Sequence, residues 1–70
     1  IKYDLPKEAN VKINIYNARG AKIDQLVNGT ISAGYHKVNF DASRFSNGLY
    51  YYTLEVNNKV KAVKKMLYLK

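Results

Sequence analysis

Hydrophobic and polar residues alternate with a period of two through much of the 70-residue chain. Val11, Ile13 and Ile15 are separated by polar residues, and residues 1–5 show the same alternation before Pro6. Proline ends that first run because it cannot donate a backbone hydrogen bond to a ladder. No window keeps the apolar spacing of an amphipathic helix for more than one turn. The pattern therefore predicts an all-β protein.

The alternation stops at residues 17–20, whose Asn-Ala-Arg-Gly sequence predicts a turn. Asn bonds its own backbone in such turns, and Gly accepts a positive φ. In residues 21–27 the best apolar pair, Ile23 and Leu26, is three apart, which predicts a short, bulged or bent strand. The Asn-Gly pair at 28–29 predicts that this strand ends there.

Glycine-containing pairs also divide the middle of the chain. The break at 28–29 and a second one at 33–34 leave residues 30–32 as a short edge piece. Alternation resumes over residues 35–40, with Val38 and Phe40 on one face. Residues 41–47 form the longest predicted loop.

The strongest strand signal covers residues 49–56, which follow Gly48 and are rich in Tyr, Thr and Val. One face of this strand carries Tyr50, Tyr52, Leu54 and Val56. Asn57 and Asn58 suit a two-residue hairpin turn, because Asn tolerates positive φ.

The last predicted strand, which starts at residue 59 or 60 and ends at 69, has no clean phase. Val60 and Ala62 set one face, but Lys64 then occupies it, so we predict a bulge within residues 63–65. The whole pattern predicts a small antiparallel β-sandwich of six or seven short strands, and residues 1–70 are expected to form a single domain.

Composition narrows the class of protein. The net charge is +7, 47% of residues are hydrophobic, and there is no Cys. Disulfide scaffolds and Cys-based zinc sites are excluded, and the apolar runs are too short for a membrane-spanning helix. Five lysines and no acid lie in the last twelve residues, at positions 59, 61, 64, 65 and 70. Such lysines either bind an anionic partner or block edge pairing of the strand.

No motif points to catalysis, a metal or a cofactor. His36 has no partner at a metal-ligand or triad spacing and is expected to be an ordinary strand histidine. Asp41 suits an Asx-type turn, and no two acids are placed for acid/base chemistry. The four glycines occur singly, so there is no phosphate loop. Tyr50 and Tyr52 are expected in the core rather than on an exposed stacking platform.

Residues 66–69, Met-Leu-Tyr-Leu, are unusually apolar so close to a chain end. Both faces of this segment require cover. Either the strand is central in its sheet, or a partner binds it.

An ordered series of segments resembles the type A C-terminal sorting domains of the type IX (Por) secretion system of Bacteroidetes. The series is IKYDLP at 1–6, VKINIYNARG at 11–20, AGYHKVNFD at 33–41, NGLYYYTLEV at 47–56 and VKKMLYLK at 63–70. The Ig-like domain of the flagellar hook-capping protein is a related family that shares the G-x-Y strand. Within the resemblance, Gly20 is the turn glycine, and Gly48 with Tyr50 forms the G-x-Y element. The terminal recognition element consists of Lys64, Lys65, Met66, Leu67, Tyr68, Leu69 and Lys70.

This resemblance implies that the small antiparallel β-sandwich is Ig-like. It also implies a non-catalytic signal that directs a parent protein through the periplasm and the outer-membrane translocon to the cell surface or the medium. A surface sortase commonly removes such domains. We expect a monomer without cofactor, nucleic-acid partner or membrane insertion. The alternatives are an accessory module that binds polysaccharide or an acidic surface through its lysines, and a structural Ig-like spacer.

Overall fold

The computed structural model describes residues 1–40, 43 and 45–69 and contains six antiparallel strands in this part of the chain. No helix that is long and apolar enough to cross a membrane occurs among the described residues. The strands are β1 (Lys2–Leu5), β2 (Ala9–Asn17), β3 (Lys22–Ile31), β4 (Gly34–Lys37), β5 (Gly48–Val56) and β6 (Lys59–Tyr68). The all-β class predicted from the alternation is confirmed.

The strands form two sheets that are compatible with a small β-sandwich. One sheet has four strands in the order β3-β2-β5-β6, and the other is the pair β1-β4. Every pairing is antiparallel. β2 and β5 are therefore the central strands of the larger sheet, while β3 and β6 are its edges.

The core lies between the sheets and is built on β2. Val11, Ile13 and Ile15 are 0% exposed, and each is flanked by a strand on both sides. Tyr3 and Leu5 of β1 are buried against Val11 and Ile13. Tyr52, Leu54 and Val56 of β5 lie beside β2 on the same face of the sheet and pack against the same cluster, so the predicted inward phase of this strand is confirmed.

Two predicted turns are confirmed. The side-chain oxygen of Asn17 accepts hydrogen bonds from the backbone N–H groups of Arg19 and Ala21, both at 3.0 Å. Gly20 has a φ of 84°, which only glycine adopts without strain. Asn57 and Asn58 have φ values of 50° and 66°, as a two-residue hairpin turn with positive φ at both positions requires.

β3 is bulged as predicted, but it is longer than expected. Its register with β2 shifts twice, and the residues left without a partner are Ile23 and Leu26, the pair whose spacing broke the alternation. The predicted break at residues 28–29 is wrong, and so is the separate edge piece at 30–32. Lys12 and Val11 pair with this Asn-Gly dipeptide, so the ladder holds the strand extended through it.

The predicted strand over 35–40 is shorter in the structure and ends at Lys37. Val38 and Phe40 lie beyond it, and both are half-buried while Asn39 between them is exposed, so they still share one side. The backbone N–H of Val38 donates to the carbonyl of Ile1 at 2.7 Å, one bond past the ladder. The predicted turn at Asp41 lies outside the described residues.

The predicted bulge within residues 63–65 is wrong. The register of β6 with β5 shifts earlier, where Val60 faces Glu55 and Ala62 faces Leu54, which leaves Lys61 as the extra residue. Val60 and Ala62 therefore lie on opposite faces. The phase after the bulge is regular to Tyr68.

Candidate functional site

The sequence singled out the end of the chain as the candidate recognition element, and the structure places this segment on β6, at one edge of the larger sheet. β6 pairs with β5 alone, to which it is joined by the tight turn at Asn57 and Asn58. No strand of the described residues covers its other side. Of the two explanations for the apolar end, a central strand is therefore wrong.

Side chains after the bulge alternate strictly between the two faces of the sheet. Ala62, Lys64 and Met66 face the same side as the inward residues of β5, since they pair with Leu54, Tyr52 and Tyr50. Val63, Lys65 and Leu67 pair with Thr53, Tyr51 and Leu49 and face outward. Lys64 and Lys65 thus lie on opposite faces of one edge strand.

The inner face of β6 borders an open groove of about 660 Å³ between the two sheets. Met66 and Tyr68, both half-buried, form one side of it. The other side includes Ile1, Val38 and Phe40. β1 and β4 are too short to cover this end of the larger sheet, which explains why the groove stays open.

Tyr50, the tyrosine of the G-x-Y element, forms the floor of this groove and is 6% exposed. Its ring lies 5.9 Å from that of Phe45 and 6.5 Å from that of Phe40. Its hydroxyl donates to the carbonyl of Ser46 at 2.7 Å. Through these contacts Tyr50 holds the segment before β5 against β5 itself. The expectation that Tyr50 is a core residue is confirmed.

The outer face of β6 has no apolar cover. Val60 is 57% exposed, Val63 60%, Leu67 68% and Leu69 68%. Isolated apolar residues on a surface are ordinary, but these four all occur within residues 60–69. They form an exposed apolar strip that runs to the end of the described chain and is interrupted by Lys65 between Val63 and Leu67.

Basic side chains line the same strand. Lys59, Lys61, Lys64 and Lys65 are all exposed, and β6 contains no acid. The one acid on β5, Glu55, faces Val60 and accepts a hydrogen bond from the side chain of Asn14 at 2.9 Å. The cross-strand neighbours of Lys64 and Lys65 are tyrosines. Their charges are therefore not compensated within the sheet.

The other motif residues serve the fold around this strand. Gly20 completes the β2–β3 turn, and residues 17–19 of that turn share a small cleft with Gly48 and Tyr50. The two glycine elements are thus neighbours in space. Lys70, the last residue of the predicted recognition element, lies outside the described residues.

His36 contacts other residues of the fold. Its ring stacks on Tyr3 at 5.3 Å, and its Nε2 is 2.8 Å from the carbonyl oxygen of Ser32. No group of three metal-ligating side chains occurs among the described residues. Burial raises the pKa of Tyr3, but this residue is part of the core and lies in the other sheet from β6.

The groove of the site was not found from the sequence. The groove depends on Val38 and Phe40, which lie outside any strand, and on Ile1. Val38 and Phe40 are half-buried and Asn39 between them is exposed, as the predicted alternation requires. No neighbouring residue in the sequence indicates that Val38 and Phe40 lie across the groove from Met66.

The fold and the site together define a small antiparallel β-sandwich with one exposed edge strand that is both apolar and basic. A comparison with family models identifies the chain more closely. It belongs to the family described as the secretion system C-terminal sorting domain, whose model matches residues 1–68. Neither the search of curated proteins nor the search of solved structures gave a match.

Membership of this family confirms the resemblance drawn from the motifs. The domain is a sorting signal for type IX secretion. This role implies interaction with the type IX machinery and export across the outer membrane to the cell surface or the medium.

Proposed function

We propose that the chain is a non-catalytic sorting domain and that the segment recognised by its partner is β6. The parent protein passes through the periplasm, and the outer-membrane translocon recognises the folded, monomeric domain. A surface sortase then removes the domain. The observation that carries the proposal is the uncovered outer face of residues 60–69 on an edge strand. A free domain gains nothing from such a surface, whereas a partner that covers it gains apolar burial.

Within residues 64–69 of the recognition element each side chain has a proposed role. Leu67 and Leu69 supply the apolar contact, and Lys64 and Lys65 steer the approach of an anionic partner. Met66 and Tyr68 anchor the strand in the groove, so their main effect is on the geometry of the edge. Gly20, Gly48 and Tyr50 support the fold and do not touch the partner.

The test uses the whole chain fused to the C-terminus of a reporter that carries a signal peptide, in a host with an active type IX system. The intact fusion is expected in the medium or on the cell surface. Deletion of residues 66–70 is expected to leave the reporter in the periplasm. A long tag after Lys70 is expected to impair export.

Substitutions separate lost recognition from lost folding better than the deletion does. Leu67→Ser with Leu69→Ser changes two side chains that are each 68% exposed, so the fold is expected to tolerate the change. The matched control is Tyr35→Ser with Ala33→Ser, since Tyr35 is 71% exposed, Ala33 is also exposed, and both lie outside β6. The first pair is expected to block secretion and the control pair to preserve it. Equal secretion by both pairs would refute the assignment of the address to this segment.

A second candidate is a module that binds an anionic polysaccharide, which the four exposed lysines of β6 favour. Binding of this kind falls steeply with salt, because each neutralised anionic group releases a counterion. Titration with an acidic polysaccharide at low and moderate salt distinguishes the two functions. Submicromolar affinity near 150 mM salt would favour the polysaccharide module, and weak binding that vanishes with salt would favour the sorting signal.

A further inference from the structure

The edges of the two sheets differ in how much regular backbone they present. β1 and β4 are four residues long, and the regular part of β3 is limited to the five residues 27–31 by its bulges. β6 is regular over the seven residues 62–68, a length of about 23 Å. Short strands and bulges are the ordinary means by which proteins prevent edge pairing. Residues 62–68 are therefore the edge best able to accept another strand.

The charges on this edge restrict which strand can pair with it. Lys64 faces inward and Lys65 outward, so a strand of any register brings side chains close to both. A second copy of β6 would bring its own lysines to the same edge, and repulsion would oppose the pairing. A strand with two adjacent carboxylates would instead place one opposite each lysine.

The remaining side chains of residues 62–68 complete the pattern. Val63 and Leu67 flank Lys65 on the outer face, and Met66 follows Lys64 on the inner face beside the groove. A complementary strand therefore has apolar residues on both sides of its acidic pair. On one face they extend the strip of exposed apolar residues, and on the other they reach the mouth of the groove.

We propose that residues 62–68 of β6 are completed by an extended segment of a partner protein that carries two adjacent acidic residues flanked by apolar ones. This inference rests on the proposed sorting function and names the chemistry of the recognised partner. The backbone of the added segment extends the four-stranded sheet to five strands. The lysines select against self-pairing and for the acidic segment, so one pair of charges serves both purposes.

A synthetic peptide tests this proposal with the 70-residue chain. The probe is an acetylated, amidated octapeptide, Thr-Val-Val-Glu-Glu-Val-Val-Thr, whose pattern is the same in both strand directions. The control, Thr-Glu-Val-Val-Val-Val-Glu-Thr, has the same composition and charge with the two Glu separated. The adjacent-Glu probe is expected to bind at least about tenfold more tightly in isothermal titration calorimetry. Hydrogen exchange is expected to show new protection of alternate amides within residues 62–68.

Charge reversal supplies the matched variants. Lys64→Glu with Lys65→Glu is expected to weaken binding of the acidic probe by at least about tenfold and to create binding of a Lys-Lys version of it. Gain of the second ligand cannot arise from misfolding. Lys59→Glu with Lys61→Glu makes the same change in net charge before the regular segment and is expected to have a much smaller effect.

Several results would overturn the inference. They are absence of binding, binding without protection of β6 amides, and equal affinity for the two acidic peptides. Equal losses in the two double variants, together with equally tight binding of an acidic polysaccharide, would assign the lysines to a diffuse polyanion surface instead. If the acidic peptides do not bind but the reporter fusion is secreted normally, strand pairing alone is overturned. If the peptides bind but the fusion is not secreted, the sorting function is overturned.

Discussion

Shortening Ile13 to Val is expected to lower the free energy of unfolding by about 0.5–1.5 kcal/mol. Ile13 is 0% exposed and lies at the centre of the larger sheet, paired with Val27 on one side and Leu54 on the other. The lost methylene leaves a void, because neither flanking strand can move inward without breaking its ladder. Ile13→Ala removes more and is expected to cost about 2–5 kcal/mol.

These costs are large for a domain of this size. At about 0.05–0.15 kcal/mol per residue, 70 residues give a total stability of about 4–10 kcal/mol. Ile13→Val should therefore stay folded, with a melting temperature lowered by about 4–8 °C for each kcal/mol. Ile13→Ala is expected to remove a large fraction of the total stability.

Leu54 and Val63 provide the comparison along the same sheet. Leu54 is half-buried on the inner face, so Leu54→Ala is expected near the low end of the range, at about 2 kcal/mol. Val63 is 60% exposed on the outer face, and Val63→Ala is expected to cost less than about 0.5 kcal/mol. The order of destabilisation is therefore Ile13, Leu54, Val63 for the three alanine variants.

Urea denaturation followed by far-UV circular dichroism and tyrosine fluorescence measures these differences, since the chain has seven Tyr and no Trp. Equal slopes with shifted midpoints would show that stability alone has changed. If Val63→Ala lowered the midpoint as much as Leu54→Ala, the outer face of β6 would be covered in the free domain. The reasoning about an uncovered edge strand would then be refuted.

Three further predictions concern single side chains. The buried Oγ1 of Thr53 has no hydrogen-bond partner among the described residues, so Thr53→Val is expected to raise the free energy of unfolding by about 1 kcal/mol; an unchanged or lower midpoint would contradict this. Burial raises the pKa of Tyr3 above 10.0, so stability present at neutral pH is lost as pH rises above 10, and Tyr3→Phe should reduce this loss in denaturation series at pH 9 and 11. Asn58 has a φ of 66°, so Asn58→Ala should lower the melting temperature while Asn58→Gly should not.

The parts of the fold that the sequence predicts well are those decided by neighbours along the chain. The alternation of Val11, Ile13 and Ile15 is decided by burial on one face of a central strand, so it survives in the sequence without interruption. The turn at Asn17 is local as well, because a single side chain supplies its hydrogen bonds. Features of this kind can therefore be predicted from the residues next to them in the sequence.

The errors arise where a strand is defined by its partner. Asn28 remains in β3 because it pairs with Lys12, although an Asn-Gly dipeptide alone favours a turn. The bulge at Lys61 is likewise a property of the pairing between β5 and β6. A one-residue shift on β6 changes which face each later side chain occupies, and the sequence of one strand cannot fix that shift.

The apolar segment at residues 66–69 stands out in composition, but its accessibility depends on sheet order. An apolar run such as that at Met66 fits a central strand as well as an edge strand, and only the pairing with β5 alone decides between them. The groove beside Met66 depends further on Val38, which is brought there by the short pairing of β1 with β4. Long-range placement of this kind leaves no periodic signal.

An edge strand with an apolar outer face is at risk of pairing with any extended chain it meets. β6 has this risk over seven regular residues, and the exported domain must avoid aggregation before it reaches its partner. Lys64 and Lys65 lower the risk because they oppose pairing with neutral or basic strands. The same two charges favour an acidic strand, so protection and recognition impose the same requirement on these positions. Replacing both lysines with neutral residues would therefore promote self-association and weaken selectivity together, which is why reversal of charge, with its reciprocal ligand, is the informative change.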